Sequence, residues 1–431
     1  MKNKILSLGL AALCLATLAA CNNGNKTNSQ QTSTVTEAKH TKITIWATAK
    51  EEAVVKAVTD AYNKEHPDNP YTYDYKPVSE GDCGSTLGKD PTVEGAPALF
   101  LIADDQIASL VSKNIVSEIR GTRKEAVLNS TNAAAIEGAT YDDKLYGYPV
   151  TADNGYFLYY DKSVISDAQA GSLEDILAAA KAANKSFYMD INNSYYQNSF
   201  LMSPEACGLN SLAWHNDADG KIYYDVTWDS DTGASVSQYI GGLVSSNYKD
   251  GTIKIGGNDV VTSGFQDGKV VAAVSGTWLE GDLKAAIGDN LAAAKLPSYH
   301  IGDKAYQMAS FSGSKLYCLN KTRPVEEQRT AADLAALLTN KESQLVRFET
   351  RQSIPCNLDA AADARYTKHG TIGSIALAQQ SNYAAPQSKA CEDRYWALTT
   401  IGQAYLDGTY TTKEEWATFL KAQLDTLRVH Q

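Results

Sequence analysis

The sequence lacks several motifs that would point to an enzyme or a metal protein. It contains no G-x-S-x-G, H-E-x-x-H or P-loop motif, and its six histidines are widely scattered. No two of its seven cysteines lie close enough to form a C-x-x-C site. Basic runs are also missing, and the formal net charge is −11, which makes nucleic acid and anionic lipid poor partners. We therefore expect no cofactor, no bound metal and no nucleic-acid partner.

An apolar run long enough to span a membrane is missing from the start of the chain. Residues 5–20 are apolar but fall short of the roughly 20 residues that a membrane helix needs. Lys2 and Lys4 precede this run, and Leu18-Ala-Ala-Cys21 ends it, so residues 1–20 are predicted to be a secretory signal peptide. The Leu-Ala-Ala-Cys string resembles the bacterial lipobox, which implies that Cys21 carries a lipid. A plain signal peptide, with Cys21 incidental, is the alternative.

Apolar residues are also scarce in the segment that follows. Residues 21–42 are mostly polar and cannot offset the entropy lost on ordering, so we expect a flexible tether. The remaining chain of about 390 residues exceeds the size at which a single hydrophobic core stops growing, which predicts two lobes. Beyond the tether the disulfide pairing stays open among five cysteines: Cys83, Cys207, Cys318, Cys356 and Cys391.

The order of strands and helices predicts an α/β fold. A strand over residues 43–47 precedes a helix over 51–64, and a strand over 98–102 precedes a helix that contains Ile107 and Leu110. Repeated units of this kind favour parallel sheets flanked by helices, with ligands bound beyond the carboxyl ends of the strands. The residues at those positions are Lys50, Glu51, Asp105 and Gln106.

Further elements follow from the same patterns. Helices are predicted over residues 173–184 and 233–247, and strands over 185–191 and 269–275. The capping box Thr412-Lys-Glu-Glu415 opens a C-terminal helix with an apolar stripe. Trp46 and Trp416 are predicted to be core residues, whereas the polar surroundings of Trp214 and Trp228 give no placement.

Aromatic residues are unevenly distributed among types, with 25 Tyr and 6 Trp against 8 Phe. Tyr and Trp combine an apolar face with a polar tip, which suits a surface that must stay soluble and also hold an amphipathic ligand such as a sugar ring. The alternative is that Tyr fills half-buried sheet faces.

Several longer segments carry a family resemblance. Tyr141-Asp-Asp-Lys-Leu-Tyr-Gly-Tyr-Pro149, the segment from Asp153 to Lys162, and Phe265 to Trp278 resemble, in this order, extracellular solute-binding proteins of the maltose-binding type. The resemblance covers residues from about 43 to 429. It implies a two-lobed periplasmic-binding-protein-like fold (type II), with parallel-rich sheets flanked by helices and a ligand cleft between the lobes. The implied boundaries are 43–152 plus about 309–360 for lobe 1, and 153–308 plus about 361–431 for lobe 2.

The same resemblance implies a binding site. Trp278, the pair Tyr195-Tyr196 and the pair Tyr395-Trp396 match sugar-stacking aromatics of the family. Positions that hydrogen-bond sugar hydroxyls match Lys50, Glu51, Asp105, Gln106 and Asp153, to which the neighbouring Asn154 and Tyr156 are added as candidates. Residues 151–155 are expected to form a hinge between the lobes, with Gly155 able to take an unusual backbone conformation. One departure from the family pattern is Ile102, which stands where the maltose-binding type has a Trp.

The function implied by the resemblance is that of a monomeric receptor. It would bind an oligosaccharide, with maltooligosaccharide or another α-glucan expected, and deliver it to the permease subunits of an ABC importer. The lipid on Cys21 would hold it at the outer face of the cytoplasmic membrane. A surface glycoside hydrolase, or a receptor for another oligosaccharide or for a peptide, remains the alternative.

Overall fold

Two five-stranded sheets organise the chain. The structure is a computed structural model that describes residues 38–216, 222–389 and 398–428. The predictions for the signal peptide, for Cys21, for Cys391 and for the pair Tyr395-Trp396 concern residues outside those ranges. Among the described helices, none has the length and apolar character needed to cross a membrane.

The strands are β1 Ile43–Ala47, β2 Tyr73–Pro77, β3 Leu99–Ala103, β4 Thr140–Tyr141, β5 Lys144–Leu145, β6 Gly147–Thr151, β7 Phe157–Asp161, β8 Ser186–Tyr188, β9 Leu212–Asn216, β10 Ile222–Val226, β11 Ile253–Lys254, β12 Val270–Ser275, β13 Leu291–Ala294, β14 Ser298–Ile301, β15 Lys304–Gln307, β16 Ser310–Ser312, β17 Lys315–Leu319 and β18 Ala384–Pro386.

The α-helices are α1 Ala49–Glu65, α2 Glu80–Lys89, α3 Ile107–Ser112, α4 Gly121–Ser130, α5 Ala133–Gly138, α6 Leu173–Ala182, α7 Ser194–Leu201, α8 Asp231–Lys249, α9 Asn258–Gln266, α10 Glu280–Ile287, α11 Val325–Leu338, α12 Lys341–Arg351, α13 Leu358–Ala361, α14 Ala364–Thr367, α15 Ile372–Gln380, α16 Thr399–Asp407 and α17 Lys413–Arg428.

The first sheet has the order β2-β1-β3-β17-β6 and the second the order β11-β8-β12-β7-β13. In the first sheet β1 runs parallel to β2 and β3, while β17 runs antiparallel to β3 and β6. In the second, β8 runs parallel to β11 and β12, while β7 runs antiparallel to β12 and β13. Each sheet therefore combines parallel β–α units with antiparallel pairs. Strands β7 and β17 are the ones that enter after the chain passes from one sheet to the other.

Each sheet has its own hydrophobic core. Trp46, Phe100 and Tyr317 belong to the core of the first sheet, which α1 and α11 cover. Trp228 and Trp416 belong to the core on one face of the second sheet, and a smaller cluster covers its other face. We refer to the two core-bearing parts as the first half and the second half.

Most element predictions agree with the structure to within a few residues. Helix α1 begins at Ala49, two residues before the predicted start, and Thr48 precedes it without a side-chain cap. The strand predicted over residues 185–191 is shorter, since β8 ends at Tyr188. The C-terminal capping box is confirmed, because Thr412 Oγ1 accepts from Glu415 N at 3.2 Å and Glu415 Oε2 accepts from Thr412 N at 2.9 Å.

The structure also shows where the tryptophans lie and which cysteines are free. Trp46 and Trp416 are buried, as predicted, and Trp228 is buried as well. Trp214 is half-buried, donates to Ser388 O at 3.1 Å and stacks on Tyr141. The cysteines that the structure describes are all free thiols: Cys83, Cys207, Cys318 and Cys356.

Gly155 follows the first passage of the chain between the halves. The sequence predicts that it is able to take an unusual backbone conformation, but its φ is not positive. A Cβ at this position would lie 2.5 Å from the carbonyl oxygen of Phe311, so glycine is required by close backbone approach.

Candidate ligand-binding cleft

A cleft of about 630 Å³ lies between the two halves, and we call it the main cleft. The first half contributes residues that follow β1, β2 and β3, including Lys50, Asp105 and Gln106. The second half contributes Trp278, after β12, and the pair Tyr195-Tyr196 on α7. The carboxyl ends of parallel strands therefore face this space, which is where open α/β sheets bind ligands.

Tyr195 and Tyr196 form an aromatic wall of the cleft. Both are half-buried, and their rings pack edge to face at 5.2 Å between centroids. Asn193 caps α7 by accepting from Tyr195 N at 3.0 Å, which fixes where the helix begins. Tyr156 lies behind the wall, fully buried, with its ring 4.9 Å from that of Tyr195. The structure therefore gives Tyr156 a supporting position instead of a place on the cleft surface.

Trp278 forms a second aromatic surface. It lies in a 3₁₀ turn, Thr277–Leu279, directly after β12, and is half-buried. Its Nε1 donates to Asn258 Oδ1 at 3.3 Å. The ring folds back over Gly276, where an added Cβ would lie 2.1 Å from Cζ3 of the indole. The glycine two residues before the tryptophan thus permits this ring position, which leaves part of the indole facing the cleft.

A second 3₁₀ turn, Asp104–Gln106, carries polar side chains at the end of β3. Asp105 and Gln106 line the cleft, and Gln106 Nε2 donates to Glu80 O at 3.2 Å. Asp104 points elsewhere: it is almost fully buried, and its Oδ2 accepts from Ser314 N at 2.9 Å. Burial, with Asp105 alongside, raises the pKa of the Asp104 carboxyl well above its usual value.

Glu51 is held inside the first half and does not line the cleft. Its side chain is 0% exposed and accepts from Arg347 Nε at 3.0 Å, from Tyr317 Oη at 3.0 Å and from Arg351. Burial alone would raise the pKa of this carboxyl, but the two guanidinium groups more than offset burial and lower it to about 2. Of the partners of Glu51, Arg351 also lines the cleft. The structure therefore assigns Glu51 the positioning of Arg351 in place of the ligand contact expected from the sequence.

Asp153 and Asn154 lie where the chain first passes between the halves. Asp153 is 2% exposed, and its Oδ2 accepts from Thr277 Oγ1 at 3.0 Å and from Ile354 N at 3.0 Å. This carboxylate thus joins both halves from behind the cleft wall. Asn154 does line the cleft, donating from Nδ2 to Gln387 Oε1 at 2.8 Å.

Lys50 reaches across the cleft from the first turn of α1. Its Nζ forms an ion pair with Asp282 Oδ2 at 2.8 Å, and the two side chains are 58% and 44% exposed. Lys315, at the start of β17, lies with its Nζ 5.5 Å from the Trp278 ring and 3.5 Å from Glu80. The Lys50–Asp282 ion pair and the Lys315–Trp278 contact therefore link the first half with the segment of the second half that contains Trp278 and α10. The Lys315–Glu80 contact lies within the first half.

Sequence reasoning missed several cleft residues. Asp282 could have been found, because it lies one helical turn after Trp278. Lys315, Arg351 and Asn258 reach the cleft only through strand pairing and the passages between the halves, and no local sequence pattern marks them.

A second cavity, of about 620 Å³, lies at the opposite ends of β8 and β12. Two of its lysines are already ion-paired there, Lys181 with Asp250 at 2.7 Å and Lys269 with Asp267 at 2.9 Å. Because it faces away from the carboxyl ends of the strands, we do not assign the ligand to it. Within the described residues, no group of three or more His, Cys, Asp or Glu side chains is arranged to hold a metal ion.

Comparisons with known proteins identify a family and sequence relatives of this chain. A sequence model of the family described as bacterial extracellular solute-binding protein matches residues 57–373. A galactooligosaccharide-binding protein of Bacillus subtilis (strain 168) is 26% identical over 431 residues, covering 94% of each chain. A maltooligosaccharide ABC transporter solute-binding lipoprotein of Streptococcus pneumoniae is 24% identical over 382 residues, covering 83% of this chain and 81% of that protein.

The fold also matches a solved structure. Maltodextrin-binding protein MalE1 from L. casei BL23 without ligand aligns with a TM-score of 0.71 at 21% identity, covering 91% of this chain and 100% of that chain. The expectation of a two-lobed α/β fold is therefore confirmed.

Proposed function

Because the chain belongs to the bacterial extracellular solute-binding protein family, we propose that it is a receptor that holds an oligosaccharide in the main cleft and delivers it to an ABC importer. The observation that carries the proposal is the pairing of two aromatic surfaces, Trp278 and the Tyr195-Tyr196 wall, with polar side chains across a cleft of about 630 Å³. The names of relatives that bind galactooligosaccharide and maltooligosaccharide support the same class of ligand.

The chemistry of the cleft suits an uncharged sugar. A pyranose ring has apolar C–H faces, which flat aromatic side chains can cover, and a rim of hydroxyls that both donate and accept hydrogen bonds. Asp105 accepts, Lys50 donates, and Gln106 and Asn154 do both. Hydrogen bonds to the charged groups are the stronger ones, which favours carboxylate and ammonium groups even where the ligand is neutral. The ligand contacts that we propose therefore come from these four residues and the three cleft aromatics.

Maltooligosaccharide is the ligand that we propose, and galactooligosaccharide is the competing one because a relative of similar length binds it. The pair Tyr395-Trp396 remains proposed as a further stacking platform. Ligand contact with both lobes would favour the closed state through its differential contacts, and closure would be what the importer recognises.

We also propose how the receptor is built and held. Strand membership supports lobe boundaries at 43–152 plus about 309–360 and at 153–308 plus about 361–431. The lipobox-like string supports a lipid on Cys21, and a relative that is named a lipoprotein supports it further. The receptor would then be a monomer at the outer face of the cytoplasmic membrane, would partner the permease subunits of the importer, and would catalyse no reaction.

Calorimetric titration tests the proposed ligand. The purified protein lacking residues 1–21 would be titrated with maltotriose, maltotetraose and β-1,4-galactotriose. We expect one molecule of a maltooligosaccharide to bind per protein, with unchanged sugar recovered afterwards. Binding of the galactotriose alone would move the assignment to that sugar, and failure of every glycan to bind would refute the proposal. Release of glucose or shorter oligosaccharides during the titration would favour the hydrolase alternative.

A matched pair of variants locates the site. Trp278 and Trp214 are both half-buried and both donate one hydrogen bond, but only Trp278 lines the main cleft. Trp278→Ala should weaken binding at least tenfold, whereas Trp214→Ala should leave the dissociation constant within about twofold of the wild-type value. Equal effects of the two substitutions would place the sugar elsewhere.

A further inference from the structure

A small cavity of about 150 Å³ lies beside the main cleft, and we call it the side pocket. It lies at the carboxyl ends of β8 and β12, and it shares two lining residues, Tyr196 and Asn258, with the main cleft. Its volume corresponds to about five water molecules at ~30 Å³ each, which suits one monosaccharide unit.

The side pocket belongs to the second half alone. Its lining comes from the segments around β8, α7, α9 and β12, whereas the main cleft is lined by both halves. A group that enters the side pocket would therefore project away from the main cleft, past Tyr196, and contact only the second half.

A carboxylate in the side pocket has no cationic partner. None of the described lysines or arginines forms an ion pair with Asp190, and burial raises the pKa of this carboxyl. Two donors do reach it: Asn193 Nδ2 lies 3.4 Å from Oδ2, at the long end of hydrogen-bond distances, and the backbone N–H of Gly256 also interacts with the carboxylate. A partly buried carboxylate in this situation gains from additional O–H or N–H donors, which a sugar hydroxyl supplies.

A buried hydroxyl in the same pocket lacks a well-formed hydrogen bond. Ser275 is 1% exposed, and its Oγ, which approaches the Tyr196 hydroxyl, makes no hydrogen bond of full geometry there. Such buried polar atoms are uncommon in folded proteins, and a bound ligand is one of the groups that can satisfy them. Asn258 adds an amide, whose Oδ1 already accepts from Trp278 Nε1, so that its NH₂ group is available for a ligand.

We propose that the side pocket receives a single monosaccharide branch of an oligosaccharide whose main chain lies in the main cleft. The inference rests on the proposed function and adds a preference for branched over linear ligands. Asp190 accepts from the branch, the Asn258 amide donates to it, and Ser275 does either, which matches neighbouring hydroxyls of one pyranose.

Two ligands and two variants test the side pocket. The ligands are maltotriose and maltotriose that carries one α-1,6-linked glucose on its middle ring. Asp190→Asn removes the charge but keeps an oxygen for the Asn193 contact, and Ser275→Val fills part of the pocket with a residue that suits a strand. For the branched sugar we expect each variant to raise the dissociation constant at least tenfold, because a charge-assisted hydrogen bond or the space for the ring is lost. For linear maltotriose we expect both variants to stay within about twofold of the wild type.

The linear sugar also serves as the control for folding, since a misfolded variant would lose both ligands. Wild-type protein that binds linear maltotriose but not the branched sugar would overturn the inference and leave the proposed function standing. Equal affinity of the wild type and both variants for the branched sugar would overturn it as well. Wild-type protein that binds neither sugar would overturn the maltooligosaccharide proposal and the inference together.

Discussion

Replacing Glu51 with glutamine is expected to destabilise the first half strongly at neutral pH. The Glu51 carboxylate is fully buried and is surrounded by Arg347, Arg351 and the Tyr317 hydroxyl. Glutamine has nearly the same shape but no charge, so Arg347, itself 1% exposed, would lose its counter-ion. Removing one partner of a buried ion pair is costly because the other charge is left without compensation.

The magnitude follows from the pKa of the carboxyl. Burial raises this pKa, but the arginines lower it further, from an ordinary 4.5 to about 2. Each pKa unit corresponds to about 1.36 kcal/mol, so the ionised carboxylate contributes about 3 kcal/mol to the free energy of unfolding. Since the pKa is lower in the folded protein, this contribution is fully present above pH 4.5 and is lost as the pH falls towards 2.

Urea unfolding, followed by circular dichroism between pH 7 and pH 2, measures this contribution. Glu51→Gln should lower the free energy of unfolding by about 3 kcal/mol at pH 7, and the difference from wild type should shrink towards zero near pH 2. Glu52→Gln is the matched control, since Glu52 is next in the helix and exposed, and it should change little. A difference below about 1 kcal/mol at pH 7, or one that stays constant down to pH 2, would refute the reasoning.

Three further predictions concern the cleft and its surroundings. Trp278→Phe should bind the sugar more tightly than Trp278→Ala but more weakly than wild type, because a smaller aromatic face remains; equal calorimetric affinity of the two variants would contradict stacking. Gly276→Ala should weaken sugar binding at least fivefold while the protein stays folded, because the new Cβ would displace the indole; wild-type affinity would show that the ring position does not matter. The difference in free energy of unfolding between Asp104→Asn and wild type should be more favourable to the variant at pH 7 than at pH 4. The buried carboxyl of the wild type has a raised pKa, so it costs stability once the pH exceeds its unfolded pKa, and asparagine does not carry that cost. The same difference from wild type at both pH values would contradict this.

The β–α order of the fold could be predicted because its signals are local. Strand β1 and helix α3 are marked by apolar periodicity over a few residues, and the C-terminal helix by its capping box. The start of α1 was missed because Thr48 makes no side-chain cap hydrogen bond. The antiparallel partners β7 and β17 were missed because their direction depends on where the chain passes between the halves, which no short pattern encodes.

The binding-site residues likewise include some that the sequence predicts and some that depend on distant parts of the chain. Asp105 and Gln106 were expected at the end of a strand, and Trp278 was expected from the family resemblance; all three line the main cleft. Glu51 has the same kind of position in the sequence, yet its environment is set by Arg347, 296 residues further along the chain. An ion pair between residues so distant in sequence overrides the local pattern, and it turns an expected ligand contact into a buried structural group.

Tyr156 was placed wrongly for a related reason. It directly follows the passage between the halves, where the sequence suggested exposure to the cleft. In the structure Tyr195 covers it, with ring centroids 4.9 Å apart, and Ser199 Oγ donates to its hydroxyl at 3.0 Å. Helix α7, which lies about 40 residues later, therefore decides which tyrosines face the ligand.

A crystal structure of the protein with bound maltotetraose tests the central claim most directly. The account predicts one oligosaccharide between the two halves, with a pyranose ring on the exposed part of Trp278, another against Tyr195 or Tyr196, and hydroxyls hydrogen-bonded to Asp105, Gln106 or Asn154. A sugar bound outside the main cleft, or one inside it that touches neither aromatic surface, would contradict the account.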